Sequence, residues 1–211
     1  MIKGIIFDMD GVLMDTEYFY IMRRQRYLDA MGFVRNEDHN FVGSNEKAIW
    51  EIMVPEDELL REELKLGYRA YRKLNKIPYR ELLNPSMPDL FKKLNSMKLK
   101  IAIASSSELG EIKNMVSVAG VSEYVDSMLS GEDCRAHKPN PEIYLESLKR
   151  LKLSADEVLA VEDSPTGIMA AKNAKIRVLA LKPTHFDLDQ SNADVVIEKL
   201  ENLLDYVIEQ D

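Results

Sequence analysis

Five short apolar runs punctuate this chain, at residues 5–7, 101–104, 158–161, 178–181 and 195–197. Each is largely unbroken by polar residues, the pattern of strands buried on both faces of a parallel sheet. Helical periodicity fills 88–97, 108–119, 141–151 and 165–173 between the runs, and 199–209 after the last. Strands alternating with helices need crossovers that cover both faces of a sheet. The pattern therefore predicts an α/β fold built on a Rossmann-like parallel sheet.

The interval between the first two runs has a different character. Residues 15–83 contain no convincing strand but three helical patterns, at 16–31, 44–53 and 55–76. Asp15 or Thr16 suits the N-cap of the first, and Pro55, followed by acids, suits the start of the third. The segment 76–88 holds three prolines and reads as a return linker. A chain of 211 residues has room for one domain carrying an insertion. The expected division is a core domain of 1–14 and 84–211 and a helical cap domain of 15–83, inserted after the first strand.

Composition removes several classes of function. A net charge of -8 disfavours a nucleic-acid backbone or an anionic membrane as partner. An anionic substrate would need positive charge gathered locally, by a metal ion or by chosen lysines. Cys134 is the single cysteine, so neither an intrachain disulfide nor a cysteine-based zinc site can form, and His39, His137 and His185 are scattered. The N-terminal apolar run is too short for a signal peptide, and no run approaches a membrane span. The expectation is a cytoplasmic monomer that binds neither nucleic acid nor membrane. The methionines read as adaptable packing, Trp50 as core of the insertion, and Arg23-Arg24-Gln25-Arg26 as a solvated helix face.

Four stretches carry chemistry. Asp8-Met9-Asp10-Gly11 follows the first apolar run directly, which places two acids at the carboxyl end of a strand, where open α/β sheets build their sites. Carboxylates so close together call for a bound cation or a shared proton, and Gly11 permits a sharp turn. Ser105-Ser106-Ser107 ends the second run, where hydroxyls and free N–H groups suit a phosphate. Taken alone, Ser107 also reads as a plain helix N-cap. Lys138, fixed ahead of Pro139 and Pro141, is a point charge for an anion, although most lysines are surface residues. Glu162-Asp163-Ser164-Pro165 ends another buried run and opens a helix. Each stretch has an ordinary explanation, but three of them sit at strand ends, which share one edge in a parallel sheet, and the intervening loop supplies the lysine.

In this order, Asp-x-Asp-Gly-Val, the strand-end Ser, Lys-Pro and Glu-Asp-Ser resemble the four motifs of the haloacid dehalogenase superfamily, over residues 2–181. His137-Lys138-Pro139-Asn140-Pro141-Glu142-Ile143-Tyr144 and Glu162-Asp163-Ser164-Pro165-Thr166-Gly167-Ile168 are similar to the β-phosphoglucomutase-like branch of small phosphatases and sugar-phosphate mutases. The resemblance implies that Asp8 is a nucleophile forming an aspartyl-phosphate and that Asp10 is the general acid and base. It implies Mg²⁺ held by Asp8, the Asp10 carbonyl and Asp163, with Glu162 among the ligands or just outside them. Ser105 and Lys138 would hold the phosphoryl oxygens, with the N–H groups of Met9 and Ser106 as further donors. Thr16, Glu17 and the loop Val42-Gly43-Ser44-Asn45 are the candidate cap contacts to substrate.

Within that superfamily the second carboxylate, Asp10, speaks for phosphoryl transfer, because a departing halide needs no proton. The expected activity is Mg²⁺-dependent hydrolysis of a small phosphorylated metabolite, a sugar phosphate foremost. The alternative is a β-phosphoglucomutase, whose cap His and Lys positions correspond here to Tyr20 and, without gaps, to about Gly67, with Lys65 nearby. A non-catalytic regulatory module should have lost one of Asp8, Asp10, Lys138 or Asp163, and all are present.

Overall fold

Ile5, Ile6 and Phe7 are wholly buried, and their strand lies at the centre of a parallel sheet. The strands are β1 (Gly4–Phe7), β2 (Lys100–Ser105), β3 (Ser127–Ser130), β4 (Val158–Glu162), β5 (Arg177–Leu181) and β6 (Val195–Ile197), in spatial order β3-β2-β1-β4-β5-β6. The structure is a computed structural model and describes residues 1–33 and 46–209, with the backbone alone at 46–48. Every strand pairing is parallel. The fold is a Rossmann-like α/β sheet.

Each apolar run forms a strand, but two features of the edges differ from expectation. β3 was not anticipated: Ser127-Met128-Leu129-Ser130 has only two apolar residues, and it hydrogen-bonds to β2 alone. β6, at the other edge, is not buried on both faces; Val196 is half exposed. An edge strand has one free side, so its sequence need not be continuously apolar.

The chain divides into two compact units, Met1–Asp15 with Tyr79–Asp211, and Thr16–Pro78. The second contains α1 (Glu17–Ala30), α2 (Glu46–Met53) and α3 (Glu58–Leu74) around Tyr27, Leu28, Trp50, Leu64 and Tyr68. α3 starts later than Pro55 suggests, because Asp57 is its N-cap and accepts the Leu60 N–H at 2.9 Å. Arg23 and Arg24 are buried rather than solvated. Arg23 donates to the Tyr68 hydroxyl at 3.3 Å and to the Asn75 carbonyl at 3.2 Å, and its guanidinium lies 5.0 Å from the Phe19 ring centre. The carbonyl end of α3 and the aromatic face supply the negative potential that lets this cation leave water.

The sheet-bearing unit adds α4 (Tyr79–Leu82), α5 (Met87–Ser96), α6 (Leu109–Ala119), α7 (Glu142–Leu151), α8 (Pro165–Asn173) and α9 (Asn202–Glu209). α5 buries Met87, Leu90, Phe91 and Leu94, the spacing of one helical face against the sheet. The segment leading from α4 is bound to the segment after β1: Asp15 N–H reaches the Leu82 carbonyl at 2.8 Å, and Asn84 N–H the Leu13 carbonyl at 2.9 Å. These bonds explain why 79–83 belongs with the sheet. Among the described residues, no helix is long and apolar enough to cross a membrane.

Register fixes what the sheet presents. Phe7 lies opposite Ile103 on one side and Val161 on the other. The residues just beyond them, from Asp8, Ser105 and Glu162 onward, emerge together at the carboxyl edge of the three central strands.

Candidate active site

Asp8 continues β1 by one backbone bond, its N–H reaching the Val161 carbonyl at 2.9 Å, and its side chain is buried between the neighbouring strand ends. Lys138 arrives from the loop before α7. Its ammonium donates to Asp8 Oδ1 at 2.7 Å, Glu162 Oε1 at 2.6 Å and the Ala104 carbonyl at 3.1 Å. An ammonium has three protons, and these three acceptors fix its position.

Asp163 completes the group, since Asp8, Glu162 and Asp163 are all buried and offer ligand oxygens within 4.8 Å of one another. Three carboxylates around one ammonium leave a formal excess of two negative charges, the charge of one divalent cation. Glu162 Oε2 is buried without a hydrogen-bond partner among the described residues. A bare carboxylate oxygen there is costly unless a cation or a water bound to one meets it. An all-oxygen donor set suits a hard cation. The residues fit a divalent metal ion.

The charge imbalance is visible in the titration of the cluster. Burial, reinforced by Glu162 and Asp10, pushes the Asp8 carboxyl from 3.8 up to about 8, with Lys138 offsetting only part of it. Burial also works against the Lys138 ammonium, but Asp8 and Glu162 outweigh it and hold the amine charged, above its ordinary range. The Tyr144 hydroxyl is pushed well up, by burial first and then by Glu162 and Asp8.

Two glycines make room for the carboxylates. Gly11 has a φ of +81°, and a Cβ there would fall 1.9 Å from Asp163 Oδ2. A Cβ on Gly167, in the first turn of α8, would fall 2.0 Å from Glu162 Oε2. Ser164 caps that helix by accepting the Gly167 N–H at 3.2 Å. Gln190 donates to the Asp163 carbonyl at 2.7 Å and the Leu181 carbonyl at 2.8 Å, tying the acidic loop to the end of β5.

Asp10 takes hydrogen bonds from serine hydroxyls. Ser107 Oγ donates to Asp10 Oδ2 at 2.6 Å, Ser105 Oγ stands at 3.5 Å, and the Ser107 N–H closes back on Ser105 Oγ at 3.0 Å. Ser107 is therefore not the helix cap its position suggests; Glu108 holds the N-cap of α6, without a side-chain cap bond. Ser105 is wholly buried and Ser106 exposed, while Met9, its side chain buried, can offer a ligand only its backbone.

The sheet thus brings Asp8, Asp10, Ser105, Lys138, Glu162 and Asp163 to one edge, with Met9 and Ser106 adjacent in the chain. Thr16 is buried and falls in the helical unit. Ser44 and Asn45, with Val42 and Gly43, lie outside the described residues. Sequence reasoning gave no site role to Tyr144, Gly167 or Gln190, and it placed Ser107 in a phosphate-suited stretch or as a helix cap, not beside Asp10. A buried tyrosine six residues after the lysine, and a glycine inside the first turn of a helix, were the available signals for two of them. Nothing local marked Gln190.

A parallel sheet with paired acids after its first strand and a lysine-bridged acidic cluster at the same edge defines a class, and comparison agrees. Residues 5–181 match the family model of the haloacid dehalogenase-like hydrolases. A phosphorylated carbohydrates phosphatase of Thermotoga maritima is 33% identical over 178 residues, 82% of each chain. A validoxylamine A 7'-phosphate phosphatase of Streptomyces hygroscopicus subsp. limoneus is 26% identical, with 95% of each chain covered. The crystal structure of β-phosphoglucomutase from Clostridium difficile matches with a TM-score of 0.80 over 99% of this chain and 96% of that one. Its 22% identity speaks for the fold alone. The chain belongs to the haloacid dehalogenase-like hydrolase family. It is an enzyme of the phosphoric monoester hydrolase kind.

Proposed function

We infer that this protein is a Mg²⁺-dependent phosphatase of a small phosphorylated metabolite, a sugar phosphate foremost, working through an aspartyl-phosphate on Asp8. The observation that carries the reading is the joining of Asp8, Lys138 and Glu162 beside Asp163, with Asp10 held by serine hydroxyls at the same edge. The phosphatase names of its relatives, one of them acting on phosphorylated carbohydrates, support the substrate class.

Asp8 Oδ attacks phosphorus as the bond to the leaving oxygen breaks, and Asp10 gives its proton to that oxygen. Asp10, now ionised, takes a proton from water as the water attacks the aspartyl-phosphate, which releases phosphate and restores Asp8. Lys138 and the Ser105 hydroxyl hold the non-bridging oxygens, with the N–H groups of Met9 and Ser106 as further donors. Asp8, the Asp10 carbonyl and Asp163 would hold the metal, with Glu162 beside them. When bound, Mg²⁺ supplies charge stabilisation of the transferring phosphoryl group.

A β-phosphoglucomutase would use the same intermediate and return the phosphoryl group to a sugar. Two features of the helical unit weigh against it. Tyr20 stands where that branch carries a histidine, and Gly67 packs its backbone against the Tyr27 hydroxyl. Lys65 pairs along α3 with Glu62 at 3.2 Å.

The decisive experiment incubates the purified chain and Asp8→Asn with Mg²⁺ and a panel of phosphorylated sugars and nucleotides. Released phosphate and β-glucose 1-phosphate conversion are measured side by side. The expected result is Mg²⁺-dependent release by the wild type alone, without isomerisation. Isomerisation without release would replace the phosphatase with a mutase, and an active Asp8→Asn would overturn the mechanism.

A further inference from the structure

Tyr144 has no place in the chemistry above, yet it is wholly buried in the cluster, in the first turn of α7. Its hydroxyl donates to Glu162 Oε1, the oxygen that also accepts from Lys138 at 2.6 Å. The Lys138 ammonium lies 5.3 Å from the centre of the Tyr144 ring. Both donors therefore fall on one oxygen of Glu162, and Oε2 is left buried with no hydrogen-bond partner among the described residues. Gly167 closes the other side, where even a Cβ would fall 2.0 Å from Oε2 and 2.2 Å from Oε1.

We propose that Tyr144 is a positioning residue for the metal centre: by occupying Oε1 together with Lys138 it fixes the Glu162 side chain and reserves Oε2 for the cation or a water bound to it. The inference rests on the Mg²⁺ reading of the cluster. A carboxylate can rotate about its last bond and exchange its two oxygens at little cost. With a single donor, Lys138, the Glu162 carboxylate could turn and spread its charge between ammonium and cation. A second, sterically fixed donor on the same oxygen removes that freedom. The tyrosine ring also floors the ammonium, so that Lys138 keeps its reach to Asp8 while it holds Glu162. Outer-sphere hydrogen bonds of this kind orient ligands that would otherwise have to be ordered when the metal binds.

The test is Tyr144→Phe, which removes the hydroxyl and keeps the ring under Lys138. Mg²⁺ is titrated against the melting temperature of the substrate-free protein, and separately against p-nitrophenyl phosphate hydrolysis. The expected result is an apparent Mg²⁺ dissociation constant weakened roughly 10-fold in both titrations. KM for p-nitrophenyl phosphate at saturating Mg²⁺ stays within about twofold, since the substrate contacts are untouched. A residue that only packs α7 would lower the metal-free melting temperature and leave the Mg²⁺ constant where it was, and that outcome would sink the proposal. Tyr144→Met, which refills the space with a flexible apolar chain, carries the same expectation if the phenylalanine variant does not fold. A wild-type protein whose melting does not respond to Mg²⁺ would remove the metal reading itself, and the role of Tyr144 with it. That failure is distinguished by appearing before any substitution is made.

Discussion

The Asp8 side chain is buried beside Lys138, Glu162 and Asp163. Its carboxyl titrates at about 8 in the folded protein, against 3.8 in an unfolded chain. Between those values the folded state keeps a proton that the unfolded state has released. The stability contribution is therefore full below 3.8 and is lost as pH rises through about 8. In a metal-chelating buffer the wild-type melting temperature should fall from about pH 4 to about pH 8 and level off above, and Asp8→Asn should lack that component while being inactive. Equal slopes in the two proteins would show that another group is responsible. Gly11 offers a second test, because Gly11→Ala combines a φ of +81° with a Cβ 1.9 Å from Asp163 Oδ2. The expected outcome is a loss of roughly 100-fold in kcat/KM with circular dichroism little changed. Wild-type activity would mean that Asp163 can move without consequence. Asp8, Asp10, Lys138 and Asp163 could be singled out as candidates in the sequence because each lies just past the end of an apolar run or precedes a proline. The bonds made by Tyr144 and Ser107 were not legible, because their partners lie 18 and 97 residues away in the chain and meet only through the sheet.

Strands were legible where the sequence is continuously apolar, the half-exposed edge strand β6 included, and β3 was not. β1, β2 and β4 are apolar because helices cover both faces, whereas β3, with a free edge, is defined by its pairing to β2 rather than by its composition. The same limit hid the arginines of α1, whose burial depends on the carbonyl end of α3 and on rings from both helices. The contact between α1 and α3 gives a contest of signs. Replacing a helical glycine with alanine ordinarily stabilises by about 1 kcal/mol. At Gly67 the new Cβ would fall 2.2 Å from the Tyr27 hydroxyl, and the Tyr27 ring is held between Tyr68 and Tyr71 at 5.5 and 5.4 Å. Overpacking of this kind costs about 1–3 kcal/mol, so Gly67→Ala should destabilise on balance. That hydroxyl is buried without a hydrogen-bond partner among the described residues, so Tyr27→Phe should be tolerated. In the Tyr27→Phe background, Gly67→Ala should become neutral or stabilising. Additive effects in a denaturant double-mutant cycle would show that the two side chains do not meet.

Across the whole molecule, a chain of net charge -8 has gathered three of its carboxylates into one buried group with a single ammonium. One ammonium leaves that group formally two charges short of neutral, a cost to the folded state. A cation that binds only the folded state should relieve it. At a Mg²⁺ concentration 100 times its dissociation constant the gain is about 2.7 kcal/mol, which for a chain of this length raises the melting temperature by roughly 5–11 °C. The gain should grow with pH, because below about 8 the cation must displace the proton on Asp8 and above it need not. It should also be local in origin. Amide exchange should slow most at the carboxyl ends of β1, β2 and β4 and at the start of α8, where Lys138 joins Asp8, Ala104 and Glu162, and Gly167 closes on Glu162. Mg²⁺ protection confined instead to α1 and α3, or a melting shift that shrinks as pH rises, would place the cation away from this cluster.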